Sequence, residues 1–359
     1  MRKVRVMIIE DSSVVRQFLE YVIRRDARLE VVAAVGTAEE ALRILDRVSP
    51  DVISMDIRLP GMNGFEATQR IMATRPTPVV VVSASVEAED MKISINALRA
   101  GALAVVEKPV GIGHEHYESL AERLCTQLAI MSQVKVVGQR IDRGLRFGPG
   151  GMERVSCTPE RIVSRTPGPF RALGLVASTG GPNALANLLG NLPADFPLPI
   201  LLIQHITASF LGGFVSWLNS ICPLSVVFAQ DKQRPAAGKV HVPPADHHLR
   251  LAGDRLGLDQ ENPVCAQRPS GTVLLQSMGQ SLGPRALGVL LTGMGEDGAE
   301  GLKVIRDHGG YTIAEDATTA VVYGMPAAAV RLGAVHESLP LPDIAPRILE
   351  LIAGKEVSR

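Results

Sequence analysis

The feature that most restricts the fold is a regular alternation of short apolar segments with helical patterns. Between residues 3 and 125, five apolar segments are each followed by a stretch with helical spacing. Repeated strand–helix units predict a parallel sheet whose strands are joined by crossover helices. The alternation resumes at Leu173 and predicts a second parallel α/β layer. We therefore expect an α/β chain with two doubly wound parallel sheets.

The predicted domain boundaries follow from where the periodicity is lost. The first domain covers residues 1–130 and the second covers residues 171–359. Residues 131–170 are rich in glycine and proline, as is typical of a flexible linker. In the first domain, the expected strands are 4–9, 31–35, 51–55, 78–82 and 102–106, and the expected helices are 12–25, 38–48, 64–74, 89–100 and 115–130.

Composition excludes several function classes. Lysine plus arginine equals aspartate plus glutamate, at 37 each, which argues against a nucleic-acid partner recruited by bulk charge. The four cysteines form no C-x-x-C pair, so they fit reduced thiols better than a disulfide framework or a zinc site. We find neither a signal-peptide pattern nor an apolar run long enough to span a bilayer. The sequence therefore predicts a cytoplasmic protein with no membrane insertion.

Polar residues follow the predicted strands of the first domain. Glu10 and Asp11 end the first strand, Asp56 the third, Ser83 the fourth and Lys108 the fifth. The carboxylates should converge at one edge of the sheet, where their repulsion favours a bound cation such as Mg²⁺. A lysine and a hydroxyl nearby suit a phosphoryl group. Each residue alone could be a helix cap or a solvated loop end, but this explains five matching positions poorly.

A second candidate site begins at Ser178, where an apolar strand pattern ends abruptly. Gly180, Gly181 and Pro182 follow and predict a sharp turn into a helix. Ser178 should then lie at the carboxyl end of a parallel strand and beside a helix N-terminus, where backbone N–H groups can stabilise an oxyanion. No Gly-Lys-Ser/Thr follows, which excludes a P-loop, and Val176 excludes the G-x-S-x-G elbow. A turn serine without chemistry stays possible.

Two further reactive groups also follow predicted strands of the second domain. His205 follows the strand over 199–203, and Asp297 follows the strand over 286–291. A serine nucleophile needs a base, and that imidazole needs a carboxylate to fix its tautomer. Alone, His205 could be a core histidine, and Asp297 could cap a helix beginning near Gly298. Three reactive groups at strand ends favour a Ser-His-Asp triad instead.

The first domain resembles the receiver domains of two-component response regulators. The resemblance rests on Glu10-Asp11, on Asp56 within Met-Asp-Ile-Arg-Leu-Pro-Gly-Met-Asn-Gly, on Ser83, and on Lys108-Pro109. It implies that Asp56 is the phosphoacceptor and that Ser83 and Lys108 contact the phosphoryl group. The implied Mg²⁺ ligands are Glu10, Asp11, Asp56 and the carbonyl of Arg58. One departure is Val105, where receivers usually carry an aromatic switch residue.

The second domain resembles the catalytic domain of the CheB family of chemotaxis protein-glutamate methylesterases, over about residues 171–335. The resemblance is carried by 177–182, 204–205, 247–249, 268–270, 291–299 and 322–326. It implies Ser178 as nucleophile, His205 as base and Asp297 as its orienting carboxylate. It further implies that Thr179 and the Met294 N–H stabilise the oxyanion. Two departures are a short segment after His205 and Gly271-Thr272 in place of the usual Val-Asp.

The combined resemblance implies a receiver-gated serine esterase. It would hydrolyse glutamyl methyl esters on chemoreceptors to glutamate and methanol, and could also deamidate receptor glutamines. A chemotaxis histidine kinase would phosphorylate the receiver with Mg²⁺, whereas the esterase would need no cofactor. We expect a monomer. The alternatives are a phosphorylation-responsive adaptor without esterase activity and, less favoured because no helix-turn-helix pattern follows residue 170, a transcriptional regulator.

Overall fold

A computed structural model describes residues 2–83, 101–109, 117–134 and 170–354 of the chain. The predicted helix over 89–100 and the predicted linker between residues 135 and 169 lie outside these ranges. The described part confirms the predicted class, since it contains two α/β layers built on parallel sheets.

The first domain is a five-stranded parallel sheet in the order β2-β1-β3-β4-β5. Both β3 and β4 are buried along their whole length, which explains why these strands read as continuous apolar runs. The strands are β1 Val4–Ile9, β2 Leu29–Val35, β3 Val52–Met55, β4 Val79–Ser83 and β5 Ala104–Glu107. The described helices are α1 Ser13–Arg25, α2 Ala38–Val48, α3 Gly64–Thr74 and α4 Tyr117–Met131.

Three of these helices begin where a polar side chain caps them. The side chains of Ser12, Thr37 and Asn63 each accept a hydrogen bond from the N–H three residues further on. Such caps satisfy backbone donors that the first helical turn leaves unpaired. They explain why α2 and α3 have the bounds that the sequence predicts.

The second domain is a seven-stranded parallel sheet in the order β14-β13-β12-β6-β7-β9-β8. Its strands are β6 Ala172–Ala177, β7 Ile200–Gln204, β8 Ser225–Phe228, β9 Lys239–Val242, β12 Ala286–Leu290, β13 Tyr311–Glu315 and β14 Glu337–Leu339. Its helices are α5 Gly181–Gly190, α6 Ala208–Ile221, α7 Gly271–Leu282, α8 Ala299–Asp307, α9 Met325–Arg331 and α10 Leu341–Ile352.

Strand β6 lies at the centre of this sheet, between β7 and β12. Ala177 pairs with Gln204 of β7, and Val176 pairs with Leu290 of β12. The carboxyl ends of three adjacent strands therefore meet at one edge. This arrangement places the residues that follow each strand beside one another.

The sequence pattern over 249–258 predicts short strands around a turn, and the structure has them as an antiparallel hairpin, β10 His248–Ala252 and β11 Arg255–Asp259, that is separate from the large sheet. Two other elements were not expected. The sequence analysis placed no element at β14, which has only three residues, or at α10. Helix α10 contains Pro346 in its interior and a second proline in its first turn, and these weaken the helical signal.

No helix among the described residues has the length and apolarity required to cross a membrane.

Candidate active site and receiver site

An acidic cluster lies at the carboxyl edge of the receiver sheet. Carboxylate oxygens of Glu10, Asp11 and Asp56 all lie within 4.8 Å of one another. The Lys108 ammonium is 2.8 Å from Glu10 Oε2 and 2.9 Å from Asp56 Oδ2. Glu10 is 1% exposed and Asp56 6% exposed, whereas Asp11 is exposed. Hard oxygen ligands, one of them open to solvent, fit a magnesium ion that keeps part of its water shell.

Burial and mutual charge perturb the titration of this cluster. Burial is the main cause that raises the pKa of Asp56, and Lys108 opposes it. Burial and the charge of Asp56 both raise the pKa of Glu10. Burial alone would lower the pKa of Lys108, but the charges of Asp56 and Glu10 raise it. The lysine therefore stays charged and partly neutralises carboxylates that would otherwise repel one another.

The other predicted receiver residues lie around this cluster. Asp56 Oδ1 accepts a 2.7 Å hydrogen bond from the Ile57 N–H, and the Arg58 backbone also hydrogen-bonds Asp56. Ser83 is buried, and its carbonyl accepts the Lys108 N–H at 2.9 Å. Strand pairing of β4 with β5 thus holds the serine and the lysine next to each other.

The turn after β6 positions Ser178. The Ser178 N–H donates to the Thr292 carbonyl at 3.0 Å, and the Ser178 carbonyl accepts the Gly181 N–H at 2.9 Å. Gly180 has φ of +80°, a conformation that favours glycine. Helix α5 then begins at Gly181. Ser178 itself is partly exposed, at a strand end and beside a helix N-terminus, as the sequence pattern predicts.

His205 and Asp297 come together although 92 residues separate them in the chain. His205 Nε2 lies 2.9 Å from Asp297 Oδ2. The His205 N–H donates to the Ala177 carbonyl at 3.0 Å, which fixes the base candidate one strand away from Ser178. Within the described residues, no hydrogen bond joins the Ser178 hydroxyl to His205.

Asp297 is held at the N-terminus of α7, which the sequence analysis did not foresee. Its carboxylate accepts hydrogen bonds from Ser270 Oγ at 2.6 Å, the Gly271 N–H at 2.6 Å and the Thr272 N–H at 3.0 Å. Burial by itself would raise the pKa of Asp297, but the hydrogen bonds and the charge of His205 lower it to about 2. Asp297 is therefore a carboxylate at neutral pH.

The alternative role of Asp297, as cap of the helix near Gly298, does not describe this arrangement. Helix α8 begins at Ala299, with Gly298 as its N-cap and no side-chain cap bond.

The structure gives a physical reason for Gly271-Thr272, which departs from the usual Val-Asp of the resembled family. A Cβ at Gly271 would lie 2.3 Å from Val176 Cγ1, while Thr272 Oγ1 accepts the Gly298 N–H at 2.7 Å.

Gln204 is a site residue to which the sequence analysis gave no role. Its amide Nε2 donates to the carbonyl of Ser178 at 2.8 Å and to the carbonyl of His205 at 2.9 Å. The residue is 3% exposed. A Cβ at Gly181 would lie 2.0 Å from Gln204 Oε1, so this glycine leaves room for the bridging amide. The only local sign of this role is the position of Gln204 directly before His205.

A loop after β12 packs against the Ser178 turn. Thr292 Oγ1 donates to the Thr179 carbonyl at 2.9 Å, and the Thr292 N–H donates to Glu315 Oε2 at 2.8 Å. Among the described residues, the N–H groups of Thr179 and Met294 have no hydrogen-bond acceptor. Met294 is 49% exposed. An oxyanion requires unpaired N–H donors beside the nucleophile, and the oxyanion roles of Thr179 and Met294 stay predictions.

The receiver domain borders the same cleft. Gln127 Nε2 of α4 lies 3.5 Å from Thr179 Oγ1. Val321 and Val322 of the second domain pack against an apolar receiver cluster that includes Tyr117 and Leu128. Strand β5, with Val105, forms part of the cleft wall.

Comparison with known proteins identifies both halves of the chain. Residues 6–116 match the response regulator receiver domain model, and residues 173–348 match the CheB methylesterase model. A protein-glutamate methylesterase/protein-glutamine glutaminase 2 of Paramagnetospirillum magneticum is 56% identical over 99% of both chains. A protein-glutamate methylesterase/protein-glutamine glutaminase of Nitrosospira multiformis is 39% identical over 98% of both chains. The crystal structure of the Thermotoga maritima CheB methylesterase catalytic domain is 32% identical, with a TM-score of 0.49, and covers 51% of this chain and 99% of that one.

Proposed function

The chain belongs to the CheB family of protein-glutamate methylesterases, and from that premise we propose that Ser178, His205 and Asp297 perform its hydrolytic chemistry. The protein is a hydrolase of the methylesterase class combined with a response-regulator receiver. The observation that carries the proposal is the 2.9 Å contact between His205 Nε2 and Asp297 Oδ2, at the strand edge that also holds Ser178.

The proposed reaction uses each side chain at a defined atom. Because Nε2 of His205 faces Asp297, Nδ1 is the nitrogen left to accept the Ser178 proton. The Ser178 oxygen attacks the ester carbonyl, and the Thr179 and Met294 N–H groups stabilise the resulting oxyanion. His205 then gives the proton to the leaving methanol. Water then attacks the acyl-enzyme. His205 accepts a proton from this water and returns it to the Ser178 oxygen as glutamate is released.

The names of the relatives support a protein-glutamate methyl ester as the class of substrate. We propose glutamyl methyl esters on chemoreceptors as the substrate, with methanol and glutamate as the products. The same nucleophile would deamidate receptor glutamines, with ammonia as the leaving group. A cytoplasmic location follows from a substrate on the cytoplasmic helices of the receptors.

The receiver would regulate this reaction. Asp56 is the proposed phosphoacceptor, with Ser83 and Lys108 on the phosphoryl group and a chemotaxis histidine kinase as donor. Glu10, Asp11, Asp56 and the Arg58 carbonyl would hold Mg²⁺, which neutralises charge on the phosphoryl oxygens when bound. Phosphorylation would shift the population from a form in which the receiver lies over the cleft toward an open form.

The test is methanol release from methylated receptor membranes, with and without a small-molecule phosphodonor and Mg²⁺. We expect Ser178→Ala to abolish release, whereas Ser220→Ala, on the outer end of α6, leaves it unchanged. Asp56→Ala should retain a basal rate that the phosphodonor cannot raise. Normal release from the Ser178 variant would overturn the mechanism. No release from the folded wild-type protein, with several receptors, would favour the adaptor alternative.

A further inference from the structure

A buried hydrogen bond joins two segments that supply no residue to the proposed reaction. These segments are 247–249, at the start of strand β10, and 268–270, directly before helix α7. The Ser270 N–H donates to His248 Nδ1 at 3.2 Å. Both residues are 0% exposed. The bond therefore ties the β10–β11 hairpin, which stands apart from the large sheet, to the first turn of α7.

The two nitrogens of the His248 ring have different partners. Nε2 lies 3.2 Å from the Asn262 carbonyl, which can only accept a hydrogen bond. Nδ1 faces the Ser270 N–H, which can only donate. This pair of contacts requires the neutral ring with its hydrogen on Nε2 and its lone pair on Nδ1. The ring is thus fixed from both sides, and a rotation would lose both bonds.

Ser270 carries the effect of this bond to Asp297. Its Oγ donates to Asp297 Oδ1 at 2.6 Å, and the N–H groups of Gly271 and Thr272 donate to the same carboxylate. Because these three donors are consecutive in the chain, a displacement of the Ser270 backbone moves them together. Asp297 in turn lies 2.9 Å from His205 Nε2. The anchor of Ser270 therefore sets where the carboxylate stands relative to the proposed base.

The junction between hairpin and helix continues along one face of α7. The Leu251 N–H donates to Ser277 Oγ at 2.9 Å, and the Gly253 N–H donates to Ser281 Oγ at 3.3 Å. Ser270, Ser277 and Ser281 are spaced by close to whole helical turns, so they face β10 together. The bond of Ser270 differs from the other two because it lies at the end of α7 that holds Asp297.

We infer that His248 is a positioning residue of the esterase, which acts through Ser270 to hold Asp297 in line with His205. The β10–β11 hairpin is then a support for the candidate triad. This inference rests on the proposed function, because it takes Asp297 as the group that orients the base. It separates His248 from a histidine that only stabilises the fold.

Two substitutions divide the bonds of the ring between them. In His248→Asn, the amide oxygen is as many bonds from Cα as Nδ1 is, so it keeps an acceptor for the Ser270 N–H. In His248→Gln, the longer side chain brings its NH₂ group near the position of Nε2. It keeps a donor for the Asn262 carbonyl but leaves the buried Ser270 N–H without its acceptor.

The readout is methanol release from methylated receptor membranes by the full chain, with phosphodonor and Mg²⁺ present. We expect His248→Gln to lower the rate by about tenfold to a hundredfold, since small displacements of catalytic groups cost that much. His248→Asn should restore a rate close to that of the wild type. If the two variants lose rate equally, the Ser270 bond has no special role and the inference fails.

Ser277→Ala is the matched control for a weakened junction. It also leaves a buried N–H of the hairpin, that of Leu251, without its acceptor, but at the far side of the first turns of α7. Urea denaturation shows how far each variant is destabilised. We expect Ser277→Ala to lose stability without losing rate. A rate loss in Ser277→Ala as large as in His248→Gln would make the role of His248 purely structural.

Two further variants keep the outcomes distinct. If His248→Gln does not fold, Ser270→Ala removes the Oγ bond to Asp297 while its N–H still reaches His248, and it should slow release about tenfold; normal release would overturn the inference. Ser178→Ala tests the proposed function itself. If Ser178→Ala is inactive and His248→Gln is fully active, only the positioning role is wrong, whereas an active Ser178→Ala overturns the proposed mechanism.

Discussion

Replacing Asp297 by asparagine tests the candidate triad through both stability and rate. The carboxylate is 2% exposed and accepts four hydrogen bonds, from His205, Ser270, Gly271 and Thr272. These four donors share the two carboxylate oxygens of Asp297. The asparagine side chain has the same shape but only one oxygen. Its NH₂ group would therefore face hydrogen-bond donors, with no acceptor for its own hydrogens.

The expected loss of stability can be worked from the titration of Asp297. Its pKa falls from 3.8 to about 2 in the folded chain, and one pKa unit corresponds to ~1.4 kcal/mol, so the fold favours the charged form by roughly 2–3 kcal/mol. Because the folded-state pKa is the lower one, this stabilisation is complete above pH ~4 and is lost as the pH falls toward 2. We therefore expect Asp297→Asn to lower the free energy of unfolding by roughly 2–3 kcal/mol at pH 7, and by less at pH 3.

The expected loss of activity is larger. In the proposed mechanism, His205 without the carboxylate loses the group that fixes its tautomer and stabilises its positive charge, and such a change costs about 10⁴-fold in rate. Urea denaturation and methanol release measure the two effects on the same preparation. Asp307→Asn is the matched control, because the ion pair that Asp307 makes among the described residues is with Lys303 of the same helix, α8, at the surface. An Asp297→Asn protein with activity within tenfold of wild type would refute the assigned role, and a stability loss independent of pH would refute its electrostatic cause.

Three further predictions concern packing, positioning and metal binding. Gly181→Ala should destabilise the second domain by about 1–3 kcal/mol, because its Cβ would meet Gln204, whereas Gly190→Ala in the same helix meets no atom within 4 Å and should be neutral or stabilising in thermal unfolding. Gln204→Met should lower kcat for methanol release, since it removes both hydrogen bonds that join the carbonyls of Ser178 and His205; an unchanged kcat would contradict this. Mg²⁺ should raise the melting temperature of the wild-type receiver and of an exposed Asp46→Asn control but not of Asp11→Asn, and equal responses in all three would exclude the acidic cluster as the ion site.

Most strands and helices could be predicted from the sequence, because each is marked by a pattern within a short stretch of residues. Strands buried on both faces give continuous apolar runs, and the caps at Thr37, Asn63 and Ser270 mark helix starts within one residue. Helix α10 lacked such a signal, since Pro346 interrupts the helical pattern although the fold buries one face of this helix. The pairing that separates β10 and β11 from the large sheet is a tertiary property, which no short window of sequence contains.

The candidate site was readable only in part. Strand-end positions pointed to Ser178, His205 and Asp297, because parallel sheets bring carboxyl ends together. The donors that hold Asp297 come from α7, about 25 residues away in sequence, and no local pattern marks them. The position of Gln127 beside Thr179 could not be predicted either, because Gln127 belongs to the first domain and its contact depends on how the two domains pack.

The contrast between these contacts bears on how regulation works. Within the second domain, Thr292 joins three segments, through bonds of 2.8–3.0 Å to Glu315, Thr179 and Ser178. Glu315 is buried, and burial raises its pKa, so the hydrogen bond between Thr292 and Glu315 is shielded from solvent. Among the described residues, the receiver contributes the long Gln127 hydrogen bond and apolar packing at its border with the site. If Asp56 is phosphorylated as proposed, we expect the change to act on this border and not on the hydrogen bonds of Thr292.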